Sequence, residues 1–201
     1  MSSNELPGDR PPLLLASGSR YRRELLSRLG LAFSAEPPDC DEDAYKSRGF
    51  GPEQLAETLA LAKARSLVAR FPGATILGSD QVPAVDGKIL DKPGTADRAV
   101  EQLLLLNGRE HRLITAVALL SGDRLLQHTD VTRLSMRHLT RAQIERYVAA
   151  DLPLDCAGSY RLESRGIALF SSIDSADHTA IVGLPLIALT GMLAGLGYEI
   201  P

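Results

Sequence analysis

The stretch LLLASGSRYRRELL, residues 13 to 26, carries an apolar strand-like run into a small-residue loop and then into a helix rich in arginine. One glycine and two serines let backbone N–H groups come close to an anion, and the helix that follows offers its positive N-terminus to the same point. Arg20, Arg22 and Arg23 supply cations for charge-assisted bonds to phosphate oxygens. The G-x-x-x-x-G-K-[ST] spacing of a Walker loop is absent, so the stretch taken alone reads first as an ordinary strand-to-helix turn with Ser19 as N-cap. A strand feeding a helix is the opening move of an α/β fold.

Outward from there, the helix runs from Arg20 to Leu29 with Gly30 placed to end it, and a strand is expected at Leu31 to Ser34. Glu36 to Asp43 is a proline-broken acidic loop, and Pro52 to Arg70 reads as one long helix with Leu55, Leu59 and Ala62 on a face and Lys63 one turn after Leu59. Ala74 to Ser79 is short and apolar like a buried strand ending at Asp80. Val82 to Val85, Asp86-Gly87 and Lys88 to Leu90 then suggest a hairpin, with Pro83 at an edge. A helix capped at Thr95 or Asp97 extends through Leu106 and closes at Asn107-Gly108. Arg112 to Leu120 and Arg124 to Leu134 form an antiparallel ribbon, and Thr140 with Gln143 makes a capping box for a helix through Ala150. Cys156 to Tyr160 is read as extended, Gly166 to Phe170 as a strand and Pro185 to Leu196 as a last helix. Strands and helices alternate early and strands pair late, so the expected fold class is α/β with a central mixed sheet.

The composition is that of an ordinary soluble globular chain: 201 residues, 44% hydrophobic and 23% charged. A formal charge of −3 gives no basic field for a nucleic-acid polymer, which leaves a small anion held by local cations. No apolar run approaches the roughly 20 residues of a membrane span. No membrane partner is therefore expected, and with no export signal a cytoplasmic location follows, in which Cys40 and Cys156, lacking metal-ligand spacing, are expected as reduced thiols. Residues 1–12, with three prolines, read as a mobile tail, and residues 13–201 as a single domain.

Asp80, in GSDQV, sits where open α/β sheets place ligands, beyond an apolar strand. Asp41, Glu42 and Asp43 add carboxylates, and hard oxygens of this kind suit Mg²⁺ or Mn²⁺ bound together with substrate phosphates. Lys63 and Lys92 are candidates for neutralising a polyphosphate as its leaving group departs. His111, His128, His138 and His178 show no zinc-site spacing, and there is no G-x-S-x-G elbow.

Seven ordered segments resemble the Maf family of nucleoside triphosphate pyrophosphatases: ASGSRYRRELL (16–26), PPDCDED (37–43), LALAKARSLVAR (59–70), GSDQV (78–82), LDKP (90–93), CAGSYRLESRGI (156–167) and VGLPLIAL (182–189). The resemblance runs from Leu13 nearly to the C-terminus. It implies an elongated α/β domain with two lobes around a nucleotide cleft, often a homodimer. It also implies hydrolysis of a nucleoside triphosphate between the α and β phosphates with a divalent cation. On the matching positions it makes Asp80 the proton acceptor or a metal holder, with Glu42 as the loop acid. Ser17 and Arg22 become the phosphate-binding pair, and Lys63 and Lys92 the two lysines.

Three positions divide the family. Tyr21, Gln81 and Glu163 side with the branch resembling 7-methyl-GTP pyrophosphatase, whereas the dTTP and UTP branch carries arginine, threonine and glutamine there. A cationic 7-methylguanine would stack on Tyr21 and pair with Glu163, while the O2 and O4 of a pyrimidine would be repelled by that carboxylate. Alternatives are a dTTP, UTP or broad-range pyrophosphatase, and a nucleotide-binding regulator of septum formation without turnover. Arg20 stands in place of the usual proline, Asp91 in place of a glycine, and Asp177-His178-Thr179 in place of an asparagine-bearing stretch.

Overall fold

The computed structural model describes residues 10–201. Strand β1 (Leu13–Ala16) is buried along its whole length and empties into helix α1 (Arg20–Ser27), capped by Ser19 as the sequence suggests. Strand β2 (Phe33–Glu36) starts two residues later than expected and pairs parallel with β1. The acidic segment is not loop throughout: Asp41 accepts from the Ala44 N–H and starts a short helix, α2 (Glu42–Lys46). Helix α3 (Pro52–Arg65) stops short of Arg70, because Ser66 takes the C-cap and its Oγ bonds the Lys63 carbonyl at 2.8 Å.

Strand β3 (Thr75–Val85) is continuous through Gly78, Asp80 and Pro83, which corrects the division into a strand ending at Asp80 and a separate hairpin arm. Its partner in the hairpin, β4, is only Lys88–Ile89. Helix α4 (Ala96–Leu106), strands β5 (Glu110–Ser121) and β6 (Arg124–Met136), and helix α5 (Arg141–Asp151) with its capping box fall where expected. After α5 the chain departs from expectation. Cys156 to Tyr160 forms turns rather than a strand, with the Ser159 N–H bonded to the Cys156 carbonyl. Arg165–Leu169 is a 3-10 turn, and strand β7 occupies Phe170–Asp174. An unexpected short helix, α6 (His178–Val182), precedes α7 (Leu186–Ala194).

The seven strands form one mixed sheet in the order β2-β1-β3-β5-β6-β7, with β4 paired to β3. β1 is parallel to both neighbours, and the remaining pairs are antiparallel. Side chains alternate across β3. Leu77 joins the core formed with α1 and α7, whereas Val82 and Ala84 face Leu55, Ala56 and Leu59 of α3. A third core at the far end of β5 and β6 gathers α4, α5 and Phe170.

Gly78 decides how closely α3 lies on the sheet. A Cβ there would stand 2.1 Å from the Ala60 carbonyl oxygen, so only glycine lets the helix backbone settle against β3. The last residues of the segment read as a tail are tied down. The Tyr198 hydroxyl donates to the Pro11 carbonyl at 2.7 Å, and the Thr75 N–H donates to that of Pro12 at 2.9 Å. Residues 1–9 of that segment lie outside the described residues. No helix among those described is long and apolar enough to cross a membrane.

Candidate active site

β1 pairs with β3 only as far as Ala16 opposite Gly78, whereas β3 continues for seven more residues. Between that point and the pairing with β4 at Ala84, one edge of β3 is open, and a cleft of about 1300 Å³ occupies the gap. Pro83 lies on this edge. Its carbonyl accepts from the Leu90 N–H, on the side away from β5, so the missing proline N–H costs no bond to β5. The cleft is lined by all nine residues singled out from the sequence: Ser17, Tyr21, Arg22, Glu42, Lys63, Asp80, Gln81, Lys92 and Glu163.

The floor is an ion triad, with Lys63 and Asp80 buried and Glu42 half-buried at its edge. α3 brings the Lys63 ammonium, almost fully buried, 2.6 Å from Asp80 Oδ1 and 2.7 Å from Glu42 Oε1. The close approach allowed by Gly78 sets the first of these contacts, and the first turn of α2 sets the second. A lysine at such depth is stable only when paired, and here two carboxylates share it. Burial pushes the Asp80 carboxyl above the ordinary carboxylate value, against the pull of Lys63 and Arg22. Burial acts on Glu42 in the same direction but is outweighed. The Lys63 hydrogen bond and charge, with Lys46 and Lys92 behind them, hold Glu42 below its ordinary value. Of the other two acids weighed with Glu42, Asp41 caps α2 and Asp43 is an exposed partner of Lys46.

The anion cradle lies beside this floor. Ser17 is buried, and its Oγ accepts from the Ser19 N–H at 3.1 Å, which fixes the loop at the start of α1. Arg22 donates through Nε to the Gly183 carbonyl at 3.1 Å, leaving the other guanidinium N–H groups for a ligand. Burial presses the Arg22 guanidinium down from its ordinary pKa, while Asp80 and Glu42 oppose the shift. The Gly183 carbonyl also takes the buried Ser79 Oγ–H at 2.9 Å. Gly183 adopts a φ of 124°, and an added Cβ would lie 3.2 Å from Arg22 Nε.

Gln81, one of the three positions that divide the family, lines the cleft and spends its amide N–H groups within the protein. Its Nε2 lies 3.0 Å from Thr115 Oγ1 and from the Ala180 and Ile181 carbonyls, so it fastens α6 to the sheet. Asp177 holds the same helix from its other end, accepting from the Thr179 and Ile187 N–H groups at 2.8 Å each. Sequence reasoning gave Ser79, Asp177 and Gly183 no role in the site. The D-x-T pattern of an N-cap before His178 was the signal for one of them.

The upper cleft is more exposed. Tyr21 carries the Arg20 guanidinium 4.7 Å above its ring centre, and its hydroxyl accepts from Arg20 Nη2 at 3.0 Å. Lys92 and Glu163 are exposed, on the loop after β4 and on the segment after α5. Asp91, the unusual residue before Lys92, pairs with Lys46 of α2 at 2.7 Å, so the two rims carrying Glu42 and Lys92 are bridged. Cys40 and Cys156 are both free thiols, and burial pushes Cys156 up to about 12. Asp80 and Glu42 present two hard carboxylates to the cleft. Among the described residues no third His, Cys, Asp or Glu completes a metal cage. That donor set fits Mg²⁺ or Mn²⁺, which take one or two carboxylates and fill the shell with phosphate oxygens and water.

The architecture has relatives. At 50% identity over 181 residues, covering 90% of this chain and 95% of the relative, it is similar to the 7-methyl-GTP pyrophosphatase of Bdellovibrio bacteriovorus. The protein of that name from Bordetella pertussis is 49% identical over 194 residues, 96% of each chain. The one from Pseudomonas aeruginosa is 46% identical over 193 residues, 95% of this chain and the whole of the relative. The family described as Maf-like protein matches residues 12–196, and the chain belongs to it.

Proposed function

We propose that the protein hydrolyses 7-methyl-GTP to 7-methyl-GMP and pyrophosphate, removing a modified nucleotide. The observation that carries this reading is the buried Asp80–Lys63 pair, joined by Glu42, beside the Ser17 and Arg22 cradle, in a chain about half identical to proteins of that name. Ser17 and the Arg22 guanidinium hold the triphosphate so that the α phosphorus faces the floor. Asp80 accepts the proton of the attacking water, a role suited to a carboxylate whose affinity for protons burial has raised. Lys63 keeps Asp80 and Glu42 in register and neutralises charge that grows on the phosphoryl oxygens, while Lys92 meets the departing pyrophosphate. A divalent cation held by Asp80 and Glu42 would supply Lewis acidity and a lowered pKa for bound water.

At the other end of the cleft the Tyr21 face and the Glu163 carboxylate select the base. A methylated, cationic purine satisfies both, and its N1–H and N2 amine donate to Glu163. Gln81 contributes by fixing α6, and the Gly183 carbonyl just after that helix orients Arg22. The site belongs to a protein that works without a nucleic-acid polymer or a membrane, in the cytoplasm and as a homodimer. A regulator that binds without turnover has no use for a buried proton acceptor. The test is pyrophosphate release from 7-methyl-GTP with Mg²⁺ or Mn²⁺ by the wild type and by Asp80→Asn. Turnover abolished by the substitution supports the reading, and binding without turnover in the wild type overturns it.

A further inference from the structure

Asp151, at the end of α5, is a buried carboxylate that the reaction does not use. Its side chain is 4% exposed and collects three donors: Arg161 Nη2 at 3.3 Å, Ser164 Oγ at 2.6 Å and the Tyr147 hydroxyl at 2.9 Å. The Asp151 backbone carbonyl accepts from Arg161 as well, and the Tyr147 oxygen accepts from the Arg161 N–H at 3.1 Å. Two of the carboxylate's donors therefore lie on either side of Glu163, two residues before it and one after.

The same short segment is drawn into a closed turn from within. The Arg161 carbonyl accepts from the Ser164 N–H at 3.3 Å and the Gly166 N–H at 2.9 Å, and a Cβ on Gly166 would stand 2.4 Å from that oxygen. Glu163 stands exposed on this turn and lines the cleft, while every anchor of the turn lies behind it on α5. The arrangement has an electrostatic side. Arg161 also lines the cleft beside Tyr21, and Asp151 supplies the opposite charge to its guanidinium at 3.3 Å, next to where a cationic base would sit.

We infer that Asp151 is a positioning residue for base selection, holding Glu163 in place through Arg161 and Ser164 and cancelling the Arg161 charge next to the base site. The inference rests on the proposed role of Glu163. Charge-assisted bonds to a buried carboxylate are short and directional, so they fix a loop that the exposed Glu163 could not fix by contacts of its own. Asn in place of Asp151 keeps the shape, removes the charge and loses acceptor capacity.

The experiment measures kcat and KM with 7-methyl-GTP and with dTTP for the wild type, Asp151→Asn, Ser164→Ala and Glu163→Gln, with Tm for each. Asp151→Asn is expected to lower the ratio of kcat/KM for 7-methyl-GTP over dTTP about tenfold, chiefly through the KM for 7-methyl-GTP, as the loss of one charged hydrogen bond implies. Ser164→Ala leaves the carboxylate and its Arg161 pair intact and is expected to move the ratio in the same direction by about threefold. Equal losses on both substrates that follow Tm would make Asp151 a stability residue and overturn the inference. If Glu163→Gln lowers the ratio while Asp151→Asn and Ser164→Ala leave it unchanged, the inference falls and the reading of Glu163 stands. If Glu163→Gln itself leaves the ratio unchanged, the reading of the base site falls and the inference with it.

Discussion

The two ends of the cleft are built in opposite ways. At the floor, Asp80 and Lys63 come from the middle of a long strand and from a helix pressed against it, both buried and bonded to each other before any substrate arrives. At the upper end, Lys92 and Glu163 come from connecting segments, are exposed, and are held from behind by other residues. The difference teaches where precision is needed. Charge that develops in a transition state is stabilised best by groups already fixed in a water-poor site. A base edge can be read by side chains on adaptable segments, provided those segments are anchored. On the proposed roles, exchanging Tyr21 or Glu163 would change selectivity and leave the floor untouched.

That contrast can be broken most severely at the floor. Asp80→Asn is expected to lower kcat by roughly 10²–10⁴ with little change in KM, since it removes the proton acceptor and leaves the cradle. Steady-state kinetics with 7-methyl-GTP decides the point, and a loss confined to KM would move Asp80 from chemistry to binding. Gly78→Ala attacks the same contact from the backbone. With a Cβ 2.1 Å from the Ala60 carbonyl oxygen, α3 must move away from β3. Overpacking of this kind costs about 1–3 kcal/mol, and Tm falls by roughly 2–4 °C for each of those in a chain this size. Because Lys63 rides on α3, kcat should fall with Tm; a variant that melts lower yet keeps its kcat would show that the triad does not depend on the helix seat.

At the upper end the effects are smaller and of a different kind. Glu163→Gln should leave Tm and kcat close to wild type while lowering the preference for 7-methyl-GTP over dTTP about tenfold, the scale of one charged hydrogen bond. A large loss of kcat there would erase the division of labour between the ends.

Much of this division was legible in the sequence, and the reasons are local. The loop from Ser17 to Ser19, the capping box at Thr140 and the β5–β6 ribbon each carry a short-range signal, and each stands where the pattern places it. The continuity of β3 was hidden. Gly78 and Pro83 are strand breakers by propensity, yet one receives α3 and the other turns its missing N–H away from β5, so their meaning is tertiary. The Gly166 to Phe170 run looked like a strand because it is apolar, but Ile167 is 55% exposed and pairing begins only at Phe170. The candidate residues were named by type, spacing and family resemblance, and the fold gathers them around one cleft. Their support at Asp151, Asp177 and Gly183 was not, because what matters there is a set of donors and acceptors contributed by distant parts of the chain.

The smallest effect expected concerns pH and the anchoring of α6. Burial opposes ionisation of Asp177, but the hydrogen bonds from Thr179 and the Ile187 N–H prevail and hold its carboxyl below the ordinary value of 3.8. Such a group adds stability that is fully present above its unfolded pKa and is lost as pH falls through the lower folded value. Tm of the wild type should therefore drop more steeply below about pH 4 than Tm of Asp177→Asn, whose curve starts lower at neutral pH. Parallel curves would remove Asp177 from the account of α6.

The central claim is that a fixed phosphate floor serves a separately built base selector. Its most direct test is pyrophosphate release from 7-methyl-GTP, GTP, dTTP and UTP at matched concentrations, with wild type and Glu163→Gln side by side and Asp80→Asn as the inactive control. The account predicts a strong wild-type preference for 7-methyl-GTP that Glu163→Gln flattens while total turnover survives. Equal rates on all four triphosphates, or a preference for dTTP and UTP, would contradict it.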